Sequence, residues 1–245
     1  GVLIDHGSTD NSLDICRQLV PEWRIVRSRL TTFDPFLTDF EVMSYEQELP
    51  GWKIALNVTE FLITHYPLDH LETYLKANHK RGACASGILV VDMSAGQEPD
   101  PHRPLPPQYP WGIDDNSLVN EQHRVDLGIS AMPLRNRFYH CLPVGMYRPG
   151  RHHSYHPDSM QRIEDLMIFH YGYAPWTERG KQRKLQISQK IPPEIRINDW
   201  GDHHLRDSRA LDLDHQRMSA AATDLRLNEQ AAMALNYCDQ HMPFG

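Results

Sequence analysis

Short apolar runs and amphipathic segments alternate along most of the chain. Most of the runs lack polar alternation, which predicts strands buried on both faces. The predicted strands lie at 2–4, 23–29, 52–56, 83–93, 135–147 and 165–173. Apolar residues at helical spacing predict helices between them, including one over 69–80 that Asp69 caps. Strands that alternate with helices indicate an α/β fold with a mostly parallel sheet flanked by helices.

The last part of the chain has a different pattern. From about Asp202 the sequence is polar, and its apolar residues recur at helical spacing. We therefore predict one α/β domain over 1–200 and a helical C-terminal extension over 201–245. The proline-rich stretch at 96–112 is either a linker between domains or a surface loop that borders a cleft.

Composition and charge narrow the classes of function. The chain has 245 residues, enough for one large α/β domain. Its 25 basic and 32 acidic residues give a formal charge of -7, which argues against binding to nucleic acid. The four cysteines are scattered and form no CxxC pair, so we expect reduced thiols and a cytoplasmic location. No apolar run has the length of a membrane span, although peripheral association with a membrane is compatible with the sequence.

The first predicted strand ends in the polar sequence DHGSTDNS. Gly7 permits a tight turn there, and Asp10 is a good N-cap for the following helix. Open parallel sheets bind ligands at such corners, so Asp5 is a candidate binding residue. A capped helix after a turn explains the same residues without a ligand. The chain begins inside this strand, which is consistent with a missing N-terminal strand.

A second predicted strand, led by Trp52, ends in NVTEF, so two strands end in groups that bear oxygen ligands. Together these strand ends resemble the family 2 glycosyltransferases of GT-A fold. The first matches the DxGSTDxS signature of that family, and the second stands in the place of its DxDEF motif. The residues that match the signature are Asp5, Gly7, Ser8, Thr9, Asp10 and Ser12.

The resemblance implies a GT-A fold, which is Rossmann-like, and the transfer of a sugar from a nucleotide-diphosphate donor with inversion. We expect a UDP-sugar as the donor and a saccharide or another surface glycan as the acceptor. In the family the signature contacts the donor nucleotide, which here assigns donor binding to Asp5, Gly7, Ser8 and Asp10.

Further resemblance to related bacterial enzymes extends through RNRFYH, MYRPGRHH and HYGYAPW to about Pro193. It implies that Arg137 and Arg151 lie near the donor diphosphate and that His152 has a catalytic role. The histidines in HHSYH lack a cysteine or carboxylate partner at zinc-site spacing, so we expect no structural zinc. The basic run RGKQRK at 179–184 either neutralises a diphosphate or forms a solvated helix face.

The DxDEF motif of the family holds a divalent cation, Mn²⁺ or Mg²⁺. The resemblance therefore implies a metal site at Asn57, Thr59 and Glu60, with His170 as a further ligand, although His170 is equally well explained as a core residue. Only Glu60 is a carboxylate, and ligand charge sets cation affinity, so we expect the metal to be weakly bound or dispensable.

The general base for an inverting transfer should be a carboxylate near the acceptor. Asp114, Asp115 and Glu121 follow the proline-rich stretch and are candidates by position, although capping of a nearby helix explains them as well. Two functions stay open. The leading prediction is an active glycosyltransferase, and the alternative is a protein that binds sugar nucleotides or glycans without turning them over.

Overall fold

Two sheets and the helices around them make up the described part of the chain. The computed structural model describes residues 1–65, 67–94, 96–103, 105–114, 126, 136–192, 194 and 207–241. The strands are β1 (Val2–Asp5), β2 (Arg24–Arg27), β3 (Glu60–Ile63), β4 (Gly82–Val91), β5 (Trp111–Asp114), β6 (Arg137–His140), β7 (Arg162–Tyr173) and β8 (Thr223–Asp224). The α-helices are α1 (Ser12–Leu19), α2 (Pro35–Glu46), α3 (Leu68–Ala77), α4 (Leu105–Gln108), α5 (Glu178–Gln189), α6 (Ser208–Ala221) and α7 (Glu229–His241).

The larger sheet is mixed, so the predicted mostly parallel sheet is wrong. Its order is β3-β7-β4-β5-β8, and β6 also pairs with β4. Among these strands β4 and β7 are parallel, whereas the other pairs are antiparallel. The error has a physical cause, because an apolar run reports burial on both faces and carries no information on strand direction. The predicted α/β class, a sheet of several strands flanked by helices, is confirmed.

Helices cover both faces of the larger sheet. On β4, Ile88 and Val90 face α7, while Leu89 and Val91 face α6 on the opposite side. Farther along that second side, α3 packs on Ala83 and on the first half of β7. The predicted C-terminal helices therefore exist and contribute to the core of the sheet. The boundary between residues 200 and 201 stays a prediction.

The predicted strand at 52–56 is wrong, because the strand in this region begins only at Glu60. Lys53 pairs with His140 in an isolated bridge, and the Asn57 carbonyl accepts a hydrogen bond from the Glu60 N–H (2.9 Å) in a turn. The side chain of Val58, at the tip of this turn, is exposed. Asn57 and Thr59 therefore lie before a strand rather than after one, and Glu60 is the first residue of that strand.

Two details of the first elements differ from prediction. β1 pairs in parallel with β2 in the small sheet and is only half-buried until Asp5, so it is not buried on both faces. Asn11 occupies the N-cap position of α1, while the Asp10 carboxylate accepts a hydrogen bond from the Ser12 N–H (3.1 Å). Asp69 lies in the first turn of α3 and does not cap it.

Candidate functional site

The carboxyl end of β1 carries the first candidate residues. Asp5 is buried there, and its two oxygens accept hydrogen bonds from the Ser8 N–H (2.9 Å) and from Arg27 Nη1 (3.0 Å). Burial acts to raise the pKa of the Asp5 carboxyl, but the hydrogen bonds from Ser8 and Arg27 outweigh it and hold the pKa below its usual value. The Ser8 hydroxyl and the Gly7 N–H also donate to this carboxylate and lower the pKa, so Asp5 organises the loop that follows β1.

Gly7 and Asp10 shape the loop that follows β1. Gly7 has a φ of +94°, in the left-handed region that favours glycine, and a Cβ at this position would lie 2.6 Å from Arg27 Nη2. Asp10 Oδ2 lies 3.7 Å from Arg179 Nη2 of α5. The signature residues therefore form a loop at the end of β1, and the basic run on α5 lies beside it.

A second group of candidate residues surrounds Glu60 at the start of β3. We define the arginine cluster as Asp39, Asn57, Glu60, Arg137, Arg151 and His152. The buried Glu60 carboxylate binds Arg137 through both oxygens, Oε2 to Nε (2.7 Å) and Oε1 to Nη2 (2.5 Å). Asn57 donates to the same oxygens from its backbone N–H (2.9 Å) and from Nδ2 (3.1 Å). Both oxygens of Glu60 are therefore engaged within the protein.

The remaining donors of Arg137 also bind protein groups. Its Nη1 atom donates to His152 Nδ1 (2.8 Å), to the Gly150 carbonyl (3.2 Å) and to the Asn136 carbonyl (3.3 Å). A guanidinium group only donates, so His152 Nδ1 is the acceptor. A neutral His152 therefore carries its proton on Nε2.

A hairpin brings Arg151 to the cluster. Tyr147 and Ser154 pair across the hairpin, and the Arg148 carbonyl accepts a hydrogen bond from the Arg151 N–H (2.9 Å) at its tip. Gly150 and Arg151 have φ angles of +86° and +61°. A positive φ is uncommon for arginine and costs free energy, so contacts around the tip must hold this conformation.

Asp39 of α2 supplies those contacts. The buried carboxylate accepts a hydrogen bond from the Gly150 N–H (2.8 Å) and forms an ion pair with Arg151 Nη1. Arg151 Nη2 donates to Asn57 Oδ1 (2.8 Å). Burial raises the pKa of the Asp39 carboxyl above its ordinary value, despite the opposing effects of Arg151 and the Gly150 N–H.

Helix α2 connects the two groups of candidate residues. Glu41, two residues after Asp39, accepts hydrogen bonds from Ser28 Oγ (2.6 Å) and from the Arg29 N–H (2.7 Å), just beyond β2. The Ser28 N–H in turn donates to the Asp5 carbonyl (2.8 Å). The end of β1 and the arginine cluster are therefore both attached to one helix.

Glu46, at the end of α2, anchors the base of the hairpin. Its carboxylate accepts hydrogen bonds from the Gly145 N–H (2.7 Å) and the Tyr147 hydroxyl (2.5 Å), and His140 Nε2 lies 3.5 Å away. Burial acts to raise the pKa of the Glu46 carboxyl, but the interactions with His140, Tyr147 and Gly145 bring it below its ordinary value.

Acid should remove the stability that Glu46 contributes. Because the folded pKa is depressed, the contribution is complete above the ordinary value of 4.5 and is lost as the pH falls through the folded pKa. Glu46→Gln should therefore lower the free energy of unfolding by about 1–3 kcal/mol near neutral pH and by less at about pH 3. Urea denaturation at both pH values measures the difference, and equal losses at the two would contradict it.

The predicted metal ligands do not fit a divalent cation in this arrangement. Asn57 and Glu60 direct their side-chain oxygens at Arg151 and Arg137, and two guanidinium groups would repel a cation at the same place. Within the described ranges, no three or more histidine, cysteine, aspartate or glutamate residues are grouped so that they could hold a metal ion.

No family model, curated protein or solved structure matches the chain. None of the described helices has the length and apolar composition needed to cross a membrane.

Two other predicted site residues, Thr59 and His170, lie beside Glu60. The Thr59 carbonyl accepts a hydrogen bond from the Tyr171 N–H (2.8 Å), which ties the turn before β3 to β7. His170 is buried on β7 directly opposite Glu60 in the register. Of the candidate general bases, Asp114 is the last residue of β5 and pairs with Ile88 of β4, whereas Asp115 and Glu121 fall outside the residues that the structure describes.

Sequence reasoning missed Asp39 and Gly150. Asp39 lies in the amphipathic segment FLTDFEVMSYE, where a carboxylate between apolar residues normally faces solvent. The Pro149–Gly150 pair is a recognisable turn signal, and it could have predicted the hairpin tip. No local signal connects that turn to Asp39, because their contact joins residues about a hundred positions apart.

Proposed function

We propose that the protein binds a nucleotide-diphosphate sugar and transfers its glycosyl group to a saccharide acceptor. The observation that carries the proposal is the β1–α1–β2 unit, a parallel pair with Asp5 and the signature loop at the carboxyl end of β1. Parallel units of this type bind nucleotides at that end of their strands. The resemblance of the loop to the signature of GT-A glycosyltransferases supplies the reaction class.

The arginine cluster supports the same proposal. Glycosyl transfer leaves a diphosphate whose negative charge must be neutralised, and guanidinium groups are suited to this because they donate several directed hydrogen bonds. Arg151 binds Asp39 of α2, and the same helix binds Ser28, just beyond β2, through Glu41. We propose that a donor with its nucleotide at Asp5 directs its diphosphate to Arg151.

One observation favours the alternative, a protein that binds sugar nucleotides without turnover. Asp39 and Glu60, the buried carboxylates of the arginine cluster, are both engaged by arginines. A carboxylate held in this way is poorly placed to act as a general base, because both of its oxygens already accept hydrogen bonds from protein donors and not from an acceptor hydroxyl. Release of UDP from a panel of UDP-sugars, measured with and without acceptor, separates the enzyme from the binding protein.

The nucleotide site is tested by calorimetric titration with UDP. Asp5→Asn should weaken UDP binding by about tenfold or more, because a hydrogen bond to a charged acceptor is lost. Asp14→Asn is the matched control, since Asp14 is an exposed carboxylate on α1 and should leave the affinity unchanged. A folded wild-type protein that does not bind UDP, or an Asp5→Asn variant with wild-type affinity, would refute the proposal.

A further inference from the structure

The arginine cluster places positive charge where a metal site was expected. Asn57 and Glu60 are two of the predicted cation ligands, and their side-chain oxygens accept hydrogen bonds from Arg151 and Arg137. The two arginines are not equivalent. Arg137 is 1% exposed and directs hydrogen bonds from Nε, Nη1 and Nη2 to protein groups.

Arg151 retains donor capacity. A guanidinium group has five N–H donors, and within the described residues its hydrogen-bond acceptors are Asp39 and Asn57. Its side chain is 10% exposed, in contrast to that of Arg137. The turn at Gly150 and the positive φ of Arg151 fix the direction in which this side chain leaves the hairpin.

We propose that Arg151 replaces the divalent cation in this protein and binds the diphosphate of the donor. This inference rests on the proposed function and specifies how the same site neutralises charge. Asp39 and Asn57 then act as positioning residues, because their oxygens accept hydrogen bonds from the Arg151 guanidinium. At a cation site the same oxygens would be ligands of the metal ion. No covalent step is assigned to Arg151, whose role is to bind the diphosphate through its charge and its N–H groups.

The charge of Asp39 gives the inference a test with a definite sign. Asp39→Asn removes the negative charge that competes with a diphosphate for Arg151 and keeps a side-chain oxygen that can hold the guanidinium, so it should strengthen UDP binding by about three- to tenfold. Adding a carboxylate at position 57 should have the opposite effect. Asn57→Asp should weaken UDP binding in the presence of a chelator, whereas at a cation site the same change would strengthen binding of Mn²⁺ and of the nucleotide with it.

The experiment is calorimetric titration of the full chain with UDP and with uridine, in EDTA and in Mn²⁺. Wild-type protein should bind UDP in EDTA to within about twofold of its affinity in Mn²⁺, since no metal is needed. Asp39→Asn/Arg151→Gln should bind UDP at least about tenfold more weakly than Asp39→Asn, with uridine binding unchanged. The double variant avoids leaving a buried, unpaired Asp39. Arg148→Gln, an exposed arginine of the same hairpin, is the matched control.

Each outcome bears on the inference. Binding of UDP that requires Mn²⁺, or that is unaffected by the loss of Arg151, would overturn it while leaving the proposed nucleotide site intact. An Asp39→Asn variant that binds UDP no more tightly than wild type would also overturn it. Absence of both UDP and uridine binding in the folded wild-type protein would instead refute the proposed function, and this inference with it.

Discussion

A chain that ends at residue 200 is expected to lose its cooperative unfolding transition. The large buried apolar side chains that it would lack are Leu211, Met218, Leu225 and Leu235. Burial of these side chains contributes about 6–12 kcal/mol, at about 1.5–3 kcal/mol each. The free energy of unfolding of a domain is only about 5–15 kcal/mol, so this loss is comparable with the entire stability of the domain. Both faces of the larger sheet would also be exposed to water, because α6 and α7 cover opposite sides.

Circular dichroism and urea denaturation of the 1–200 chain measure this effect. A pair of point substitutions on α7 provides a matched control in the full chain. Ala234 is fully buried, so Ala234→Asp should greatly reduce the free energy of unfolding, whereas Asn236→Asp on the exposed side should change it little. A 1–200 chain that unfolds cooperatively, with stability near that of the full chain, would show that the C-terminal helices form a separate extension.

Glu60→Gln is expected to lower the free energy of unfolding by about 3–5 kcal/mol, because it leaves the Arg137 guanidinium buried without its counter-charge. The side chains of both residues are 1% exposed, so water cannot replace the lost interaction. The amide of the variant would also direct N–H groups at a guanidinium that can only donate.

The exposed pair Arg24–Glu48 is the control for this prediction. Its side chains are about half exposed, and Glu48→Gln should cost less than about 1 kcal/mol. The double variant Glu60→Gln/Arg137→Met should recover part of the stability lost in Glu60→Gln, since it removes the unpaired charge. Urea denaturation of the variants gives the comparison, and equal losses for Glu60→Gln and Glu48→Gln would contradict the prediction.

Much of the secondary structure could be predicted from local pattern. The apolar run at 83–93 and the periodic segment at 69–80 correspond to β4 and α3 within a few residues. The segment after Asp202 contains the predicted helices. These elements follow from burial periodicity, which is a property of neighbouring residues.

Part of the candidate site could also be predicted. The order of residues in DHGSTDNS indicated the loop after β1, and the basic segment MYRPGRHH contains Arg151 and His152, which contact Asn57 and Arg137. The position of NVTEF was predicted only in part, because Asn57 and Thr59 precede β3 and Glu60 begins it, whereas the prediction placed all three at the end of a strand. In this turn the Asn57 N–H donates a hydrogen bond to the Glu60 carboxylate. Such a turn has no periodic pattern of apolar residues, so periodicity could not predict it.

The sequence by itself indicated where most of the strands and helices form, with the strand at 52–56 as an error, and which loops carry polar groups. Tertiary structure alone decided the direction of the strands and the orientation of α2, which buries Asp39, Glu41 and Glu46 while Phe36 and Phe40 are exposed. Periodicity alone would predict the reverse, because burying a carboxylate is unfavourable unless distant groups pair with it. Arg151, Ser28 and Tyr147 supply those pairs, and they reach α2 only when the chain is folded.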